Sequence, residues 1–261
     1  MLPALWVAKT GLSAQDMNLT TISNNLANVS TTGFKRDRAE FEDLLYQIRR
    51  QPGGQSSQDS ELPSGLQLGT GVRIVGTQKI FTAGSLQTTE QPLDMAINGR
   101  GFFQVLMPDG TVSYTRDGSF HLSSDGQIVT SNGFALEPAI VLPPEVRTFT
   151  VGEDGTATVT TAGNPQAQIV GNIQITDFVN PAGLEAIGNN LFLETAASGA
   201  PQNGTPGLNG LGTVLQNTLE NSNVSVVEEL VNMITTQRAY EMNSKVISTA
   251  DQMLSFVTQQ L

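Results

Sequence analysis

Few residues of this chain have side chains that could support catalysis or metal binding. His121 is the only histidine, and the 261 residues contain no cysteine. Zinc sites built on cysteine or on a histidine pair are therefore excluded, and no plausible Ser-His-Asp relay remains. His121 stands between Phe120 and Leu122 in a predicted strand, so we expect a solvated surface imidazole.

The remaining candidates for chemistry are explained by turns and helix ends. Gly69-Thr70-Gly71 and Gly99-Arg100-Gly101 complete neither a Walker nor a dinucleotide-binding pattern. The Asp-Gly pairs lack the calcium-loop pattern, and adjacent Glu228 and Glu229 complement the dipole at the start of a predicted helix. We therefore predict no catalytic residue, no cofactor, no metal site and no enzymatic activity.

The stretch NNLANVSTTGFKR, residues 24–36, has a different chemistry, that of a helix end that also binds a neighbour. Thr31-Thr32-Gly33 is expected to stop the helix, with Gly33 left-handed. Phe34 would then anchor the reversed chain, and Lys35 and Arg36 would stay available to acidic groups such as Glu40 or another copy's Glu228. The side-chain amides of Asn24, Asn25 and Asn28 could form hydrogen bonds with the unpaired backbone groups at the end of a helix, in this chain or in an adjacent one. The alternative is a cap and turn that merely end a helix.

Residues 1–32 have an apolar stripe with alternating steps of three and four, interrupted by Gln15, which predicts a coiled-coil helix. Gly11 inside it costs about 1 kcal/mol relative to alanine. It marks either a weak point or the close approach of a neighbouring backbone. The stripe consists of Leu5, Ala8, Leu12, Leu19, Ile22, Leu26 and Val29.

The C-terminal region predicts a second coiled-coil helix, which Ser225 and Glu228 would start as a capping box, with Asn223 as a second possible cap. Its middle is polar at Gln237, Asn243 and Ser244, and Arg238 belongs to the same motif. Apolar residues recur every seven positions at Val226, Met233, Tyr240, Ile247, Leu254 and Leu261, and Leu230 and Ile234 widen this stripe.

Between the two ends the apolar pattern changes to a period of two. Asp-Gly pairs at 109–110, 117–118, 125–126 and 154–155 predict hairpin turns in a meander, and further alternating runs supply strands for a sheet pair or open barrel. The expected fold is α+β: N- and C-terminal helices forming a coiled-coil domain, a central all-β domain and an extended linker arm. The predicted segments are 1–32, 33–71, 72–220 and 221–261.

Residues 46–71 are rich in turns and poor in apolar residues. They predict either a disordered linker or an extended arm that becomes ordered against a neighbour, in which Leu62, Leu66 and Leu68 alternate with solvated residues. We assign to this arm Tyr46, Pro52, Gly53, Gly54 and Pro63.

Composition excludes several classes of partner. The net charge of −11 disfavours nucleic acid, and no apolar window approaches the length of a membrane span. The N-terminus does not have the pattern of a cleavable secretory signal, because Lys9, Thr10 and Gly11 interrupt its apolar run. We expect no membrane insertion and, if the protein is exported, a route without a cleavable signal.

The two apolar stripes must be covered. Burying the first on the second offers on the order of 10 kcal/mol, but ordering some 30 residues opposes this by a similar or larger sum. Because the isolated pair should be marginal, we expect copies of the chain to cover each other in a helical polymer. Flanking positions that such contacts would cover are Val227, Val231, Val246 and Met253.

Both terminal motifs carry a family resemblance. NNLANVSTTGFKR resembles the N-terminal motif of the bacterial flagellar rod and hook proteins, and SNVSVVEELVNMITTQRAYEMNSKVI is similar to their C-terminal motif. FEDLLYQIRRQPGGQSS, LPSGLQLGTGVR, GFFQV and TRDGSF are similar to the distal-rod branch, so the resemblance covers nearly the whole chain. MLPALW differs from the usual start of the family, which affects only the first turn.

The resemblance implies a structural subunit of the flagellar drive shaft in the basal body, in a rod that spans the periplasm. Implied partners are copies of itself, proximal rod proteins, hook or hook-junction subunits, the surrounding P- and L-ring bushing and the flagellar type III export apparatus. The arm falls where distal-rod proteins carry a segment that the bending hook lacks or shortens, so it is expected to stiffen the shaft. Alternatives are a proximal-rod or hook type of the family, or a secreted β-rich cell-wall hydrolase.

Overall fold

The computed structural model describes residues 2–53, 55–57, 60–61, 63–161 and 163–259, which form two compact units. The first unit groups Met1–Ala27, Asp37–Gln78 and Ser225–Leu261, and the second groups Asn28–Arg36 and Lys79–Val224. The α+β class is confirmed: a helix at each end of the chain and a mostly β region between them. The division into four segments made from the sequence remains a prediction.

The first unit is built on two long helices that pack along each other. Strand β1 packs on α1 and pairs with β6, β2 pairs with β5, and β3 pairs with β4. Residues predicted to form an arm therefore contain short antiparallel pairs. The elements are α1 Leu2–Ala27, β1 Asp37–Asp43, β2 Tyr46–Arg50, β3 Gln55–Ser57, β4 Ser60–Glu61, β5 Leu66–Gly69, β6 Val72–Lys79 and α2 Val226–Gln259.

Helix α1 ends five residues before the predicted boundary at residue 32. Its last residue is Ala27, and the chain then turns, with the Thr31 amide donating to the Asn28 carbonyl at 3.1 Å. Helix α2 begins at Val226, directly after Ser225, where the capping box predicted. Within the described residues, neither helix has an apolar stretch long enough to cross a membrane.

The second unit contains a nine-stranded sheet whose path is β11-β12-β13-β9-β10-β19-β18, with β17 joining β9 to β20. A three-stranded sheet β14-β15-β16 and the pairs β8-β21 and β7-β22 accompany it. The strands are β7 Leu86–Thr88, β8 Met95–Asn98, β9 Phe102–Leu106, β10 Val112–Thr115, β11 Phe120–Leu122, β12 Ile128–Thr130, β13 Ala135–Glu137, β14 Val146–Val151, β15 Thr156–Thr161, β16 Asn164–Asn172, β17 Ile175–Asp177, β18 Glu185–Gly188, β19 Leu191–Leu193, β20 Gln202–Gly204, β21 Thr213–Gln216 and β22 Thr218–Glu220.

The second unit buries two apolar clusters, because its strands alternate apolar and polar residues. The larger cluster includes Ile97, Phe103, Leu136, Val159 and Ile175. The smaller is aromatic, with edge-to-face contacts at centroid distances from 4.8 to 6.1 Å among Phe81, Phe102, Tyr114, Phe178 and Phe192. Such aromatic pairs add to the stability gained from burial alone.

Three of the four predicted Asp-Gly turns are confirmed as hairpins: 109–110 joins β9 to β10, 125–126 joins β11 to β12, and 154–155 joins β14 to β15. The prediction for 117–118 was wrong. There the Asp117 carboxylate accepts hydrogen bonds from the Ser119 amide at 3.1 Å and hydroxyl at 2.8 Å. Gly118 lies against β8, where a Cβ would be 1.5 Å from the Met95 carbonyl oxygen. Glycine is needed here for close packing.

Candidate assembly surfaces

The asparagines of the N-terminal motif bond within the chain itself. Asn25 is buried, and its amide donates to the Asp37 carbonyl and accepts from the Asp37 amide, both at 2.8 Å. This pair of bonds fixes the first residue of β1 to helix α1. The half-buried Asn28 accepts from the Thr31 hydroxyl at 3.2 Å, and Asn24 is exposed.

Gly33 is left-handed, as predicted, with φ of +68°. Its amide donates to the Glu220 carbonyl at 2.8 Å. A Cβ on this residue would lie only 2.6 Å from the Asp117 amide nitrogen. Phe34 is half-buried, with the Lys79 ammonium 5.2 Å from its ring centroid. The turn after α1 is therefore built into the second unit.

The expectation that Lys35 stays available to acidic neighbours was wrong. Its side chain is fully buried, and Nζ donates to Glu220 Oε1 at 2.7 Å and to the Thr82 carbonyl at 2.8 Å. Arg116 approaches the other carboxylate oxygen at 3.3 Å and also donates to the Ile97 carbonyl at 3.1 Å. We call Lys35, Arg116 and Glu220 the buried charge cluster.

Burial sets the electrostatics of this cluster. Loss of solvent lowers the pKa of Lys35 below its usual value, and the nearby Glu220 carboxylate opposes that shift. Burial lowers the pKa of Arg116 in the same way. Glu220 also accepts from the Gly84 amide at 2.9 Å. Because Glu220 is the counter-charge of both cations, removing its charge would leave Lys35 and Arg116 buried without an ion-pair partner in this cluster.

Asn223, predicted as a possible cap of α2, has another role. Its side-chain oxygen accepts from the Arg36 amide at 2.8 Å, and its amide donates to the Ile80 carbonyl at 2.8 Å. Sequence reasoning did not identify Arg116, Glu220 or Asn223 as partners of the N-terminal motif. No local pattern could have found them, since Lys35 and Glu220 are separated by 185 positions.

Helices α1 and α2 meet through small and polar residues. A Cβ on Gly11 would lie 3.1 Å from the Asn243 side-chain nitrogen, so the close approach at Gly11 is to a side chain. Asn18 donates to the Thr236 hydroxyl at 3.1 Å. Beside them, Ala4, Val246, Ala250 and Met253 line an apolar groove of about 510 Å³.

The predicted apolar stripe of α2 is more exposed in the single chain than that of α1. On α1, Ile22 is buried and Leu5, Leu12, Leu19 and Leu26 are half-buried. On α2, Met233 and Ile247 are half-buried, whereas Val226, Leu230, Tyr240 and Leu254 are between 36% and 43% exposed. Gln237 and Arg238 are exposed, and Leu261 lies outside the described residues. Exposed apolar surface of this kind is typical of interaction sites.

The arm also exposes apolar side chains. Tyr46 and Ile48 of β2 are 53% and 62% exposed, and Leu66 and Leu68 of β5 are 53% and 47% exposed. Tyr46 covers Gly69 on the paired strand, where a Cβ would lie 3.4 Å from the ring. Pro52, Gly53 and Pro63 are exposed, and Gly54 and Leu62 lie outside the described residues. A two-stranded ribbon of this kind is marginal alone.

Gly33→Ala should destabilise the second unit more than the same substitution at a left-handed glycine with no neighbouring atoms. We expect a loss of more than about 1 kcal/mol in the free energy of unfolding, because alanine adds a backbone clash to an unfavourable φ. The control is Gly133→Ala, since Gly133 has φ of +84° and a Cβ there would meet no atom within 4 Å. Denaturant unfolding measures both; equal losses would contradict the close approach at Gly33.

Comparison with known families places both ends and the middle of the chain in one class. Residues 5–35 match the family of flagella basal body rod proteins, and residues 215–260 match the C-terminal family of flagellar basal body rod FlgEFG proteins. Residues 96–159, in the second unit, match the D1 domain of the flagellar hook proteins FlgE/F/G. These matches define a protein of the flagellar rod and hook class.

Full-length relatives narrow that class. The chain is 57% identical to the flagellar basal-body rod protein FlgG of Buchnera aphidicola subsp. Schizaphis graminum, over 99% of this chain and 100% of the relative. It is 50% identical to FlgG of Caulobacter vibrioides, over 98% of each chain, and 49% identical to FlgG of Borreliella burgdorferi, over 97% of each. The chain belongs to the FlgG family of flagellar basal-body rod proteins.

Proposed function

We propose that this chain is a structural, non-enzymatic subunit of the distal flagellar rod, which polymerises into a helical tube and transmits torque from motor to hook. The observation that carries the proposal is the exposed apolar stripe of α2, from Val226 to Leu254, on a chain whose relatives are basal-body rod proteins. Uncovered apolar surface along a helix favours association between copies, since its burial stabilises by about 25 cal/mol per Å².

The terminal helices are proposed to form the coiled-coil part of this assembly. Their apolar residues follow the spacing of a coiled coil, and the side chains that remain exposed in the single chain lie on α2, at Val226, Leu230, Ile234, Tyr240 and Leu254. The assembly residues of both helices would then pack on neighbouring copies. A contact that repeats between identical chains without closing generates a helical polymer.

The partners that follow are copies of the chain, proximal rod proteins below, hook or hook-junction subunits above and the P- and L-rings around the rod. Family membership supports the basal body as the location, in the part of the rod that crosses the periplasm. The flagellar type III export apparatus is the proposed route of delivery.

The ribbon of β2 and β5 is proposed as a stiffening arm. Its exposed residues Tyr46, Ile48, Leu66 and Leu68 would be covered by neighbouring copies. Each such contact adds a link between subunits that must be broken when the shaft bends. The arm would therefore account for the difference between a rigid rod and a flexible hook.

Two strains test this function. A strain without the coding sequence should yield basal bodies that end in a short rod without a hook, because the distal segment is missing. A strain with residues 47–63 deleted should assemble a rod that bends, because the deletion removes all of β2 except Tyr46. Electron micrographs of purified basal bodies provide the measurement.

Restoring the intact chain should return full-length, straight rods. Normal rods and hooks in the strain that lacks the coding sequence would refute the proposed function. An unchanged bending stiffness in the deletion strain would refute only the role of the arm.

A further inference from the structure

Helix α2 carries two lines of residues with the same seven-residue spacing and different chemistry. The inner line is Glu229, Thr236, Asn243 and Ala250, and the outer line is Val226, Met233, Tyr240, Ile247 and Leu254. Inner-line side chains are small or polar, and three of the four are at most 5% exposed. Outer-line side chains are large and apolar, and three of the five are at least 36% exposed. The small or polar line is therefore more buried than the large apolar line, which is the reverse of what hydrophobicity alone predicts.

The inner line faces a matching line on α1, at Ala4, Gly11 and Asn18. Gly11 meets Asn243, Asn18 donates to Thr236 at 3.1 Å, and Ala4 and Ala250 line one groove. Each step of seven residues forward on α1 is matched by a step of seven backward on α2. The helices are therefore antiparallel and in one register over two heptads.

These contacts hold only in that register. A slide of one heptad in one direction would place Asn243 opposite Asn18, where there is no glycine to make room for it. A slide in the other direction would place Thr236 opposite Gly11 and break its bond with Asn18. Polar residues at the core of a helix pair lower its stability but can specify its register, and a slide in either direction breaks the Asn18–Thr236 hydrogen bond.

We propose that Gly11–Asn243 and Asn18–Thr236 form a polar ladder that selects the register and the face on which α1 and α2 pair. With this face of α2 turned to α1, Val226, Tyr240 and Leu254 of the outer line stay exposed. On the proposed function, that line is then free to contact a second copy. Asn18, Thr236 and Asn243 are positioning residues: they determine which surface is offered for assembly and make none of the assembly contacts themselves.

Distance measurement between two spin labels tests the ladder in the full chain. The sequence contains no cysteine, so Ser13→Cys and Ser255→Cys, both at exposed positions, create the only labelling sites. Labelled chain is mixed with excess unlabelled chain, so that only distances within one molecule are recorded. We expect one narrow distance distribution, since a slide of one heptad would shift α2 by about 10 Å along the axis.

The decisive variant is Asn18→Leu/Thr236→Val, which replaces both hydrogen-bonding partners with apolar side chains. Helix content should be retained, and a second distance population should appear. Loss of one net hydrogen bond should raise the ratio of shifted to native population by roughly two- to tenfold. Thr236→Ser, which keeps the hydroxyl, should retain the single population. Gly11→Ala, which fills the space beside Asn243, should produce the second population by a separate route.

A single narrow distribution in the apolar double variant and in Gly11→Ala would overturn the proposal. Loss of helix content in the double variant would overturn it too, because the ladder would then stabilise the pair without selecting its register. Two distance populations in the labelled chain that carries none of the ladder substitutions would also overturn the proposal. The measurement needs no assembled rod, so its failure is distinguishable from failure of the proposed function.

Discussion

Replacing Leu230 with aspartate is expected to stop self-assembly while leaving the single chain folded. Leu230 lies on the apolar stripe of α2 and is 43% exposed, so the carboxylate remains solvated in the free chain. In an assembly contact the same carboxylate would be buried without a partner, at a cost of several kcal/mol. A cost of this size lowers the affinity between copies by a factor of at least about 100.

Sedimentation of the purified chain and motility of a complemented strain measure the effect, and circular dichroism checks the fold. Ser248→Asp is the matched control, because Ser248 is an exposed polar residue of the same helix. The Ser248→Asp chain should assemble as the unmodified chain does. Normal rods built from Leu230→Asp chains would contradict the assignment of this stripe to subunit contacts.

Replacing Glu220 with glutamine should be among the most destabilising single changes in the second unit. It leaves the charges of Lys35 and Arg116 buried without a counter-charge, and breaking a buried pair in this way costs about 3–5 kcal/mol. Hydrogen exchange of peptides covering residues 102–115 reports the stability of the neighbouring sheet. Their protection should fall by a factor of at least about 100 at that cost.

Glu185→Gln is the control, since Glu185 is an exposed residue of β18. Replacing all three members of the buried charge cluster together, as Lys35→Met/Arg116→Met/Glu220→Leu, should cost less than Glu220→Gln alone, because no unpaired charge remains. Equal protection in Glu220→Gln and Glu185→Gln would show that the cluster does not stabilise the sheet.

Local sequence patterns predicted the elements of this fold well where the determining residues are close in the chain. Helical periodicity predicted α1 and α2, and three Asp-Gly pairs predicted hairpins. Gly33 was predicted as left-handed because it follows two threonines at a helix end. Each of these inferences depends on interactions within a few residues, which periodicity and turn chemistry describe.

The failures involve contacts between distant segments. The partner of Lys35 is Glu220, which lies 185 positions away, and nothing near either residue indicates the pairing. Gly118 follows the same dipeptide pattern as three hairpin turns, but its requirement comes from the Met95 backbone on another strand. The contact of the small and polar inner line of α2 with α1 was likewise not predicted, because it depends on Gly11 and Asn18 of a helix more than 200 positions away.

The central claim is that other copies of the chain cover the apolar residues that one chain leaves exposed on α2. A helical reconstruction of the rod in purified basal bodies tests this most directly, at a resolution that shows side chains. The account predicts that Val226, Leu230, Tyr240 and Leu254 are each buried against a neighbouring subunit. A rod in which these four side chains remain in solvent, with subunits joined only through the second unit, would contradict it.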